Sequence, residues 1–214
     1  MALYRMQQNP EMEIIGLVTT FDRDAYSTSV HSIPENVIDR QVEQTGLPLL
    51  KMWVTAKPNN VEYEHALLKI YAQLKNEGVS TIVYGDIFLE DIKSYREGLS
   101  AKAGMKSLFP LWNEDTTKLM DEFTGLGFEA ITCCVNTKFL NQNWLGRELN
   151  QKFFEDLPSS VDDAGENGEF HTFCFNGPVF KNAIEFKIGV KHFSLLSMLQ
   201  KQENNIEFGY IEII

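Results

Sequence analysis

Carboxylate, amide and imidazole side chains lie beside an apolar segment in the stretch VDDAGENGEFHTFCFNGP, residues 161–178. Glu166, Glu169 and His171 place two carboxylates and an imidazole close together, and such groups transfer protons or bind cations. Gly165 and Gly168 allow tight or left-handed backbone near a ligand. The alternative is a solvated hairpin turn whose acidic side chains do no chemistry, and the sequence leaves both interpretations open.

Two kinds of metal site can be tested on this stretch. A calcium loop that starts at Asp163 lacks the oxygen ligand and the closing glutamate that such loops need, so we exclude it. A zinc site made of Glu166, Glu169 and His171 has suitable ligand types, but no second histidine cluster supports it. We therefore assign no metal ligand and keep a metal-dependent hydrolase as the least favoured alternative.

Other candidate residues lie at predicted strand ends and helix starts. Asp86, in YGDI, can bind a ribose or a metal, or it can cap the following helix. His31 is a loop histidine, a type more often structural than catalytic. Trp112 is either a buried tryptophan or the wall of a pocket. Arg147, near the start of a predicted helix, makes either a surface ion pair or a contact to an anion.

Alternating strands and helices must position these candidates. Nearly continuous apolar runs, typical of strands buried on both faces of a parallel sheet, span residues 12–21, 47–54, 80–87 and 128–135. Apolar spacing and terminal glycines predict helices over residues 34–46, 60–78, 89–104 and 113–127. This alternation predicts an α/β fold with a parallel sheet, in which ligands bind beyond the carboxyl ends of the strands.

The pattern changes near residue 136. A loop and a helix are predicted over 141–157, and strands of an antiparallel sheet over 170–176, 183–193 and 206–214. We therefore predict an α/β domain over residues 1–136 and a smaller α+β domain over residues 137–214.

Charge and composition limit the partners. A net charge of −11 repels a phosphate backbone, so we expect no nucleic-acid binding. No apolar run is long enough to span a bilayer and the N-terminus does not resemble a signal peptide, so we expect no membrane association. The three cysteines have neither disulfide nor metal-ligand spacing, which favours the cytoplasm.

Along nearly its whole length the sequence resembles the diphthine–ammonia ligase family, also called the ATP-binding-domain-4 proteins, of the PP-loop or N-type ATP pyrophosphatase superfamily. The resemblance rests, in chain order, on VTTF, VHSIP, QVEQTGLPL, VYGDI, YREG, PLW, WLGRE and the most specific segment, GENGEFHTFCFNGPVF. It implies a Rossmann-like sheet of the HUP type flanked by helices. It also implies a ligase that uses ATP and Mg²⁺ to adenylate a carboxylate, which ammonia then converts to an amide.

The resemblance assigns expected roles to individual residues. The expected catalytic residues are Glu166, Glu169 and His171. The expected nucleotide-binding residues are Thr19, Thr20, Phe21, Gly85, Asp86 and Ile87, the first three near the adenine. The expected substrate-binding residues are His31, Arg96, Trp112, Arg147, Asn167, Gly168 and Thr172. Ala164 stands where the family often has a cysteine, so no cysteine role is transferred.

The start of the sequence departs from the family pattern. The family opens with a strand and an SGGKDS-type phosphate loop that leads into a helix. MALYRMQQNP resembles that helix, but no such loop occurs within the 214 residues. Loss of that central strand would leave unpaired edges on its neighbours. A gene start set too late, a shortened member that binds without turnover, and pairing with a second chain in a homodimer all stay open, and each predicts no measurable ATP hydrolysis.

Two classes of function follow. The favoured one is an ATP-dependent amide-forming ligase that is inactive as the chain stands, with diphthine on elongation factor two or another carboxylate as acceptor. The alternative is a non-catalytic module that binds an adenine nucleotide or a partner protein.

Overall fold

The computed structural model describes residues 1–55, 60–195 and 206–214. Its helices are α1 (Ala2–Gln7), α2 (Glu35–Thr45), α3 (Asn60–Asn76), α4 (Glu90–Lys102), α5 (Thr116–Gly125) and α6 (Gln151–Asp156), with a 3₁₀ helix at Gln142–Trp144. Its strands are β1 (Leu17–Asp22), β2 (Ser27–Thr28), β3 (Leu49–Val54), β4 (Thr81–Val83), β5 (Lys106–Leu108), β6 (Glu129–Asn136), β7 (Phe170–Asn176), β8 (Ile188–Leu195) and β9 (Glu207–Ile213). No helix in these ranges is both long enough and apolar enough to cross a membrane.

The helices form where local signals predict them. Pro34 precedes α2 as its N-cap, and Gly46 ends that helix in the left-handed conformation, with φ of 73°. Asp115 caps α5, because its side chain accepts a hydrogen bond from the Lys118 backbone N–H. The segment MALYRMQQNP also contains a helix, α1, as the family resemblance implies.

The strands form three sheets. In the first, β1 pairs with β3 in parallel and with the short β2 antiparallel; in the second, β4 pairs with β5 in parallel. The third is antiparallel, with strand order β7-β6-β9-β8. The predicted class, an α/β fold with parallel strands, flanking helices and an antiparallel C-terminal part, is confirmed.

The prediction of a fourth parallel strand over residues 128–135 is wrong. This segment forms β6, which pairs antiparallel with β7 and β9. Every residue of β6 except Glu129 is buried, because β6 lies between two neighbouring strands and within the main core. A continuous apolar run indicates burial on both faces, but it does not indicate the direction of pairing. The division at residue 136 stays a prediction, since strand pairing alone does not define a domain.

The N-terminal strands are more exposed than predicted. Val18 in β1 is 40% exposed and Val83 in β4 is 37% exposed, so these strands are not buried on both faces. Their sheets contain two parallel strands each, and no pairing of the described residues joins β1 to β4. The start of β8 also differs from the prediction, since it lies at Ile188 rather than at residue 183.

The main core lies around the antiparallel sheet. Phe153, Phe170 and Phe173 are almost fully buried there, together with Cys133 and Cys134 of β6. Burial raises the pKa of Cys134 to about 12 and raises the pKa of Cys133 well above its ordinary value. These thiols are therefore packed as small apolar side chains.

Candidate functional site

Asp162 organises the polar loop over residues 161–169. One of its carboxylate oxygens, Oδ2, accepts hydrogen bonds from the backbone N–H groups of Ala164 and Glu166, both at 3.0 Å. The other, Oδ1, accepts one from the Thr116 hydroxyl at 2.7 Å. The loop is therefore held together by its own hydrogen bonds and attached to the first turn of α5. The helix dipole also stabilises the negative charge of Asp162 at this position.

Two glycines give this loop its path. Gly165 has φ of 68°, and a Cβ placed on it would lie 2.7 Å from the Phe170 carbonyl oxygen. Gly168 also has positive φ, 81°, but a Cβ placed there meets nothing within 4 Å. A side chain at Gly165 is therefore excluded by both conformation and space, whereas one at Gly168 is opposed by conformation alone.

Glu166 connects this loop to the end of β4. Its Oε1 accepts a hydrogen bond from the Ile87 backbone N–H at 2.7 Å, although the two residues are 79 positions apart in the chain. Burial raises the pKa of Glu166, the bond from Ile87 opposes that rise, and the charge of Asp86 adds to it. The YGDI and GENGEF segments, which are distant in sequence, thus form one site.

Asp86 is paired with Arg96 of α4. The Arg96 Nε lies 2.8 Å from the Asp86 Oδ2, an ion pair without good hydrogen-bond geometry. The guanidinium lies over the ring of Tyr84, 4.9 Å from its centroid. The Tyr84 hydroxyl in turn bonds to those of Tyr71 and Ser100 in the interior. The ion pair is therefore supported by a buried polar network.

Aromatic side chains line the carboxyl ends of β4 and β5. Tyr84 stacks on Phe109 with centroids 5.2 Å apart, and Phe109 contacts Trp112 edge to face at 6.0 Å. The ammonium of Lys93 lies 4.2 Å from the centroid of the Trp112 ring and 5.7 Å from that of Phe109. Trp112 thus contributes the face of its ring to the same sheet edge as Asp86.

Glu169 is a buried carboxylate within the loop. It is 2% exposed, and its Oε1 accepts hydrogen bonds from the Asp162 backbone N–H and the Asn167 side-chain amide, both at 3.1 Å. Its Oε2 has no hydrogen-bond partner among the described residues. Asn167 therefore has a clear role in holding Glu169.

His31 and His171 contact each other, with ring centroids 4.8 Å apart. Burial lowers the pKa of both rings, and the nearby charge of His31 lowers that of His171 further, to about 4. The pair is therefore neutral near pH 7. The prediction placed His171 with Glu169, but no hydrogen bond or ion pair of the described residues joins those two side chains.

Other predicted site residues lie apart from this group. Thr19, Thr20 and Phe21 are in β1, and the fully buried Phe21 packs its ring on Trp53 with centroids 5.2 Å apart, so no part of Phe21 is accessible to a ligand. Two other predicted substrate-binding residues are Arg147 and Thr172. In the described part of the chain they make no hydrogen bond, ion pair or ring contact to Asp86 or Glu166.

Arg147 has the ordinary structural role that the sequence also allowed. Its guanidinium lies 2.7 Å from the Asp156 carboxylate and 4.2 Å from the centroid of the Trp144 ring. Thr172 faces Thr132 across the pairing of β7 with β6. Thr172 therefore belongs to the antiparallel sheet, and Arg147 lies before α6 and contacts Asp156 at the end of that helix.

The zinc alternative finds no support in this geometry. Across residues 1–55, 60–195 and 206–214, no three His, Cys, Asp or Glu side chains converge in a way that could hold a metal ion. Glu166, Glu169 and His171 instead have separate partners, namely Ile87, the loop itself and His31.

Asp162, Thr116 and Lys93 are residues of the candidate site that were not among the predicted site residues. An aspartate just before a tight turn that contains glycine often accepts hydrogen bonds from backbone N–H groups a few residues later. Asp162 could therefore have been found from the sequence. Thr116 and Lys93 could not, because their partners are Asp162 and Trp112, which are remote in the chain.

Two protein-family models match this chain. The model described as "Diphthamide synthase N-terminal domain" matches residues 1–107, and the one described as "Diphthamide synthase C-terminal domain" matches residues 115–208. The chain belongs to the diphthamide synthase family. The resemblance inferred from the sequence is thereby confirmed. Residues 108–114 lie between the two matches, and β6, β7 and β8 all lie within the second.

Two curated relatives carry the name diphthine–ammonia ligase. The Schizosaccharomyces pombe protein is 25% identical over 200 residues, which cover 80% of this chain and 32% of the relative. The Danio rerio protein is 26% identical over 169 residues, which cover 72% of this chain and 66% of the relative. The chain thus spans about a third of the length of the first relative and just under two thirds of the second.

Proposed function

We propose that this member of the diphthamide synthase family carries the fold of an ATP-dependent ligase that joins ammonia to a carboxylate through an acyl-adenylate. Family membership and the names of the two relatives support this class of reaction. The observation that carries the proposal is the hydrogen bond from the Ile87 N–H to Glu166. It fixes the GENGEF loop at the carboxyl end of a parallel strand, where α/β sheets bind their ligands.

In this proposal the segment from Gly85 to Ile87 binds the nucleotide. Gly85 is exposed, and a Cβ placed on it would meet only the Ala2 side chain, at 3.8 Å, so a ligand can approach the backbone closely. Glu166 acts by positioning, since its carboxylate holds the Ile87 N–H. Thr19 and Thr20 contribute hydroxyls near the adenine, whereas the fully buried Phe21 supports β1 from the core.

Substrate-side roles go to the residues around this segment. Arg96 and Trp112 contact the acceptor or the nucleotide beyond the ends of β4 and β5. Asn167 and Gly168 shape the loop that carries Glu166 and Glu169. His31 and His171, neutral near pH 7, accept or donate a proton at one ring nitrogen each. The roles of Arg147 and Thr172 have no support from their contacts.

Asp86 and Glu166 are the two carboxylates proposed to hold Mg²⁺, and they are near enough for the charge of Asp86 to raise the pKa of Glu166. A magnesium ion is commonly held by one or two protein carboxylates together with substrate phosphates, so this pair fits such an ion. The Arg96 ion pair with Asp86 would have to loosen for Asp86 to take part. When bound, Mg²⁺ supplies positive charge that offsets the negative charge of the phosphates.

The 214 residues by themselves are proposed to bind a nucleotide without turning it over. They contain no SGGKDS-type phosphate loop, and nothing described at the carboxyl ends of β1 and β4 replaces one. Pairing with a second copy is one way in which the site could be completed. A non-catalytic nucleotide-binding module is the alternative that this feature favours.

The acceptor is proposed to be a carboxylate, and diphthine is one candidate because the relatives are named for it. That this diphthine lies on elongation factor two is implied by the family resemblance alone. Ammonia is the second substrate. The cytoplasm is the proposed compartment, supported by three free cysteines and a chain without disulfide bonds among the described residues.

The test combines binding with turnover. The purified chain is titrated with adenosine and AMP by calorimetry, and AMP release from ATP is followed with Mg²⁺ and ammonium chloride. We expect both ligands to bind and no measurable AMP to form. Robust AMP formation would contradict the proposed inactivity. If neither adenosine nor AMP bound, the proposed nucleotide site would be contradicted.

The Glu166→Ala variant tests the observation that carries the proposal. It removes the acceptor for the Ile87 N–H and should weaken AMP binding roughly tenfold, because one charge-assisted hydrogen bond is lost. The Glu155→Ala variant, which alters an exposed acid of α6, is the control and should bind AMP as the unmodified chain does. Equal binding by both variants would show that Glu166 does not position the site.

A further inference from the structure

Lys93 is a cation held by aromatic rings instead of acidic side chains. Its ammonium lies over Trp112 and near Phe109, at 4.2 and 5.7 Å from the two ring centroids. Within the described ranges no carboxylate lies within ion-pair distance of it. A cation above a ring face is attracted by the ring but receives no hydrogen-bond acceptor, so its N–H donors stay available.

The other cation of this sheet edge is already neutralised. Arg96, one turn further along α4, forms its ion pair with Asp86 at 2.8 Å. Asp86, Glu166 and Asp162 bring three carboxylates to the region, and the charges of Asp86 and Asp162 act in the same direction as burial, raising the pKa of Glu166. An anionic ligand would therefore be repelled unless a further positive charge lay beside it.

The position of Lys93 suits that need. It is the fourth residue of α4, whose first turn also carries the carboxylates of Glu90 and Asp91, so the ammonium and not the helix end supplies the positive charge. Its ring partners follow β5, and the Asp86 segment follows β4, so both lie at the carboxyl edge of the same parallel pair. Lys93 is half-buried, so its aliphatic stem is held while its ammonium can be reached.

We infer that Lys93 is an oxyanion-binding residue of this site, held in place by Trp112 and Phe109. The ligand chemistry is a phosphate or carboxylate oxygen, which accepts hydrogen bonds from the ammonium. The two sources are the phosphate of the nucleotide and the carboxylate of the acceptor. The inference rests on the proposed function for these sources, but anion binding itself can be measured without turnover.

The experiment measures binding to the full 214-residue chain by calorimetry. The probes are adenosine, AMP, inorganic pyrophosphate and propionate. The variants are Lys93→Met, which removes the charge but keeps the length, and Lys93→Arg, which keeps the charge. Lys106→Met is the matched control, because Lys106 is an exposed lysine at the opposite end of β5. Urea unfolding of each variant checks that it is folded.

We expect the Lys93→Met variant to bind AMP and pyrophosphate at least tenfold more weakly and to bind adenosine unchanged, if phosphate is the source. If the carboxylate is the source, propionate binding is lost while the preference for AMP over adenosine stays. In either case the Lys93→Arg and Lys106→Met variants retain anion binding.

Other results separate this inference from the proposed function. If the unmodified chain binds adenosine and AMP, and the Lys93→Met variant binds all anions equally well, the inference is overturned and the nucleotide site stands. If pyrophosphate binding depends on Lys93 but adenosine does not bind, the inference stands and the nucleotide site fails. An unmodified chain that binds none of the three anions overturns the inference.

Discussion

Strands β1 and β6 come from similar apolar runs but have different surroundings. β6 is central in an antiparallel sheet and is buried along seven of its eight residues, whereas β1 belongs to a small parallel sheet and leaves Val18 40% exposed. The main core lies around the antiparallel sheet and also includes Phe21 of β1. The polar groups of the candidate site gather at the ends of the open parallel strands. Most of the buried core therefore lies around the antiparallel sheet, whereas the candidate site lies at the ends of the parallel strands.

The largest expected difference is between core substitutions in the two parts. Phe173→Ala, in β7 of the antiparallel sheet, should lower the free energy of unfolding by about 3–5 kcal/mol, because it removes a fully buried ring. Val18→Ala, in β1, should cost less than about 1 kcal/mol, because its side chain is partly in water. Urea unfolding measures both, and similar costs for the two variants would contradict the comparison.

A smaller difference is expected between the two glycines of the loop. Gly165→Ala should destabilise the chain by about 2–3 kcal/mol, because it combines positive φ with a contact to the Phe170 carbonyl. Gly168→Ala, with positive φ alone, should cost about 1 kcal/mol. Thermal or urea unfolding gives both values. If Gly168→Ala proved the more damaging, the loop would be closed differently.

The His31–His171 contact predicts a pH dependence. Burial lowers the pKa of His171 from 6.5 to about 4, so the unfolded chain binds a proton in this range that the folded chain does not. Stability should therefore fall as the pH drops, by about 1–2 kcal/mol between about pH 6.5 and about pH 5.

The His171→Gln variant tests this by urea unfolding at the two pH values. It should reduce the fall in stability, since it removes the titrating ring. His65→Gln, a change at an exposed histidine of α3, should leave the fall as it is. An unchanged fall in His171→Gln would show that other groups cause it.

The smallest expected effect separates two neighbouring threonines. Thr116→Val removes a 2.7 Å hydrogen bond to the half-buried Asp162 and should cost about 1 kcal/mol. Thr117→Val removes a 2.6 Å bond to Asp163 at an exposed position and should cost about 0.5 kcal/mol or less. Unfolding of both variants, with AMP binding as a second measurement, distinguishes loop attachment from general helix effects. Only Thr116→Val should weaken AMP binding.

Local signals in the sequence determined most of the elements. Pro34 and Gly46 bracket α2, and the alternating segments over 170–176 and 206–214 are strands, because the conformational preferences of these residues depend on near neighbours in the chain. The order of short segments along the chain, of which GENGEFHTF is the most specific, also indicated the family, which the family models confirm.

The tertiary structure alone decided how those elements combine. The antiparallel pairing of β6, the bond from Ile87 to Glu166, and the placement of Lys93 over Trp112 each join segments that are remote in sequence. An apolar run indicates that a strand is buried, but it does not indicate which strand lies beside it. A buried polar residue indicates that it needs a hydrogen-bond partner, but it does not indicate which residue that partner is. The partner depends on which surfaces the folded chain brings together.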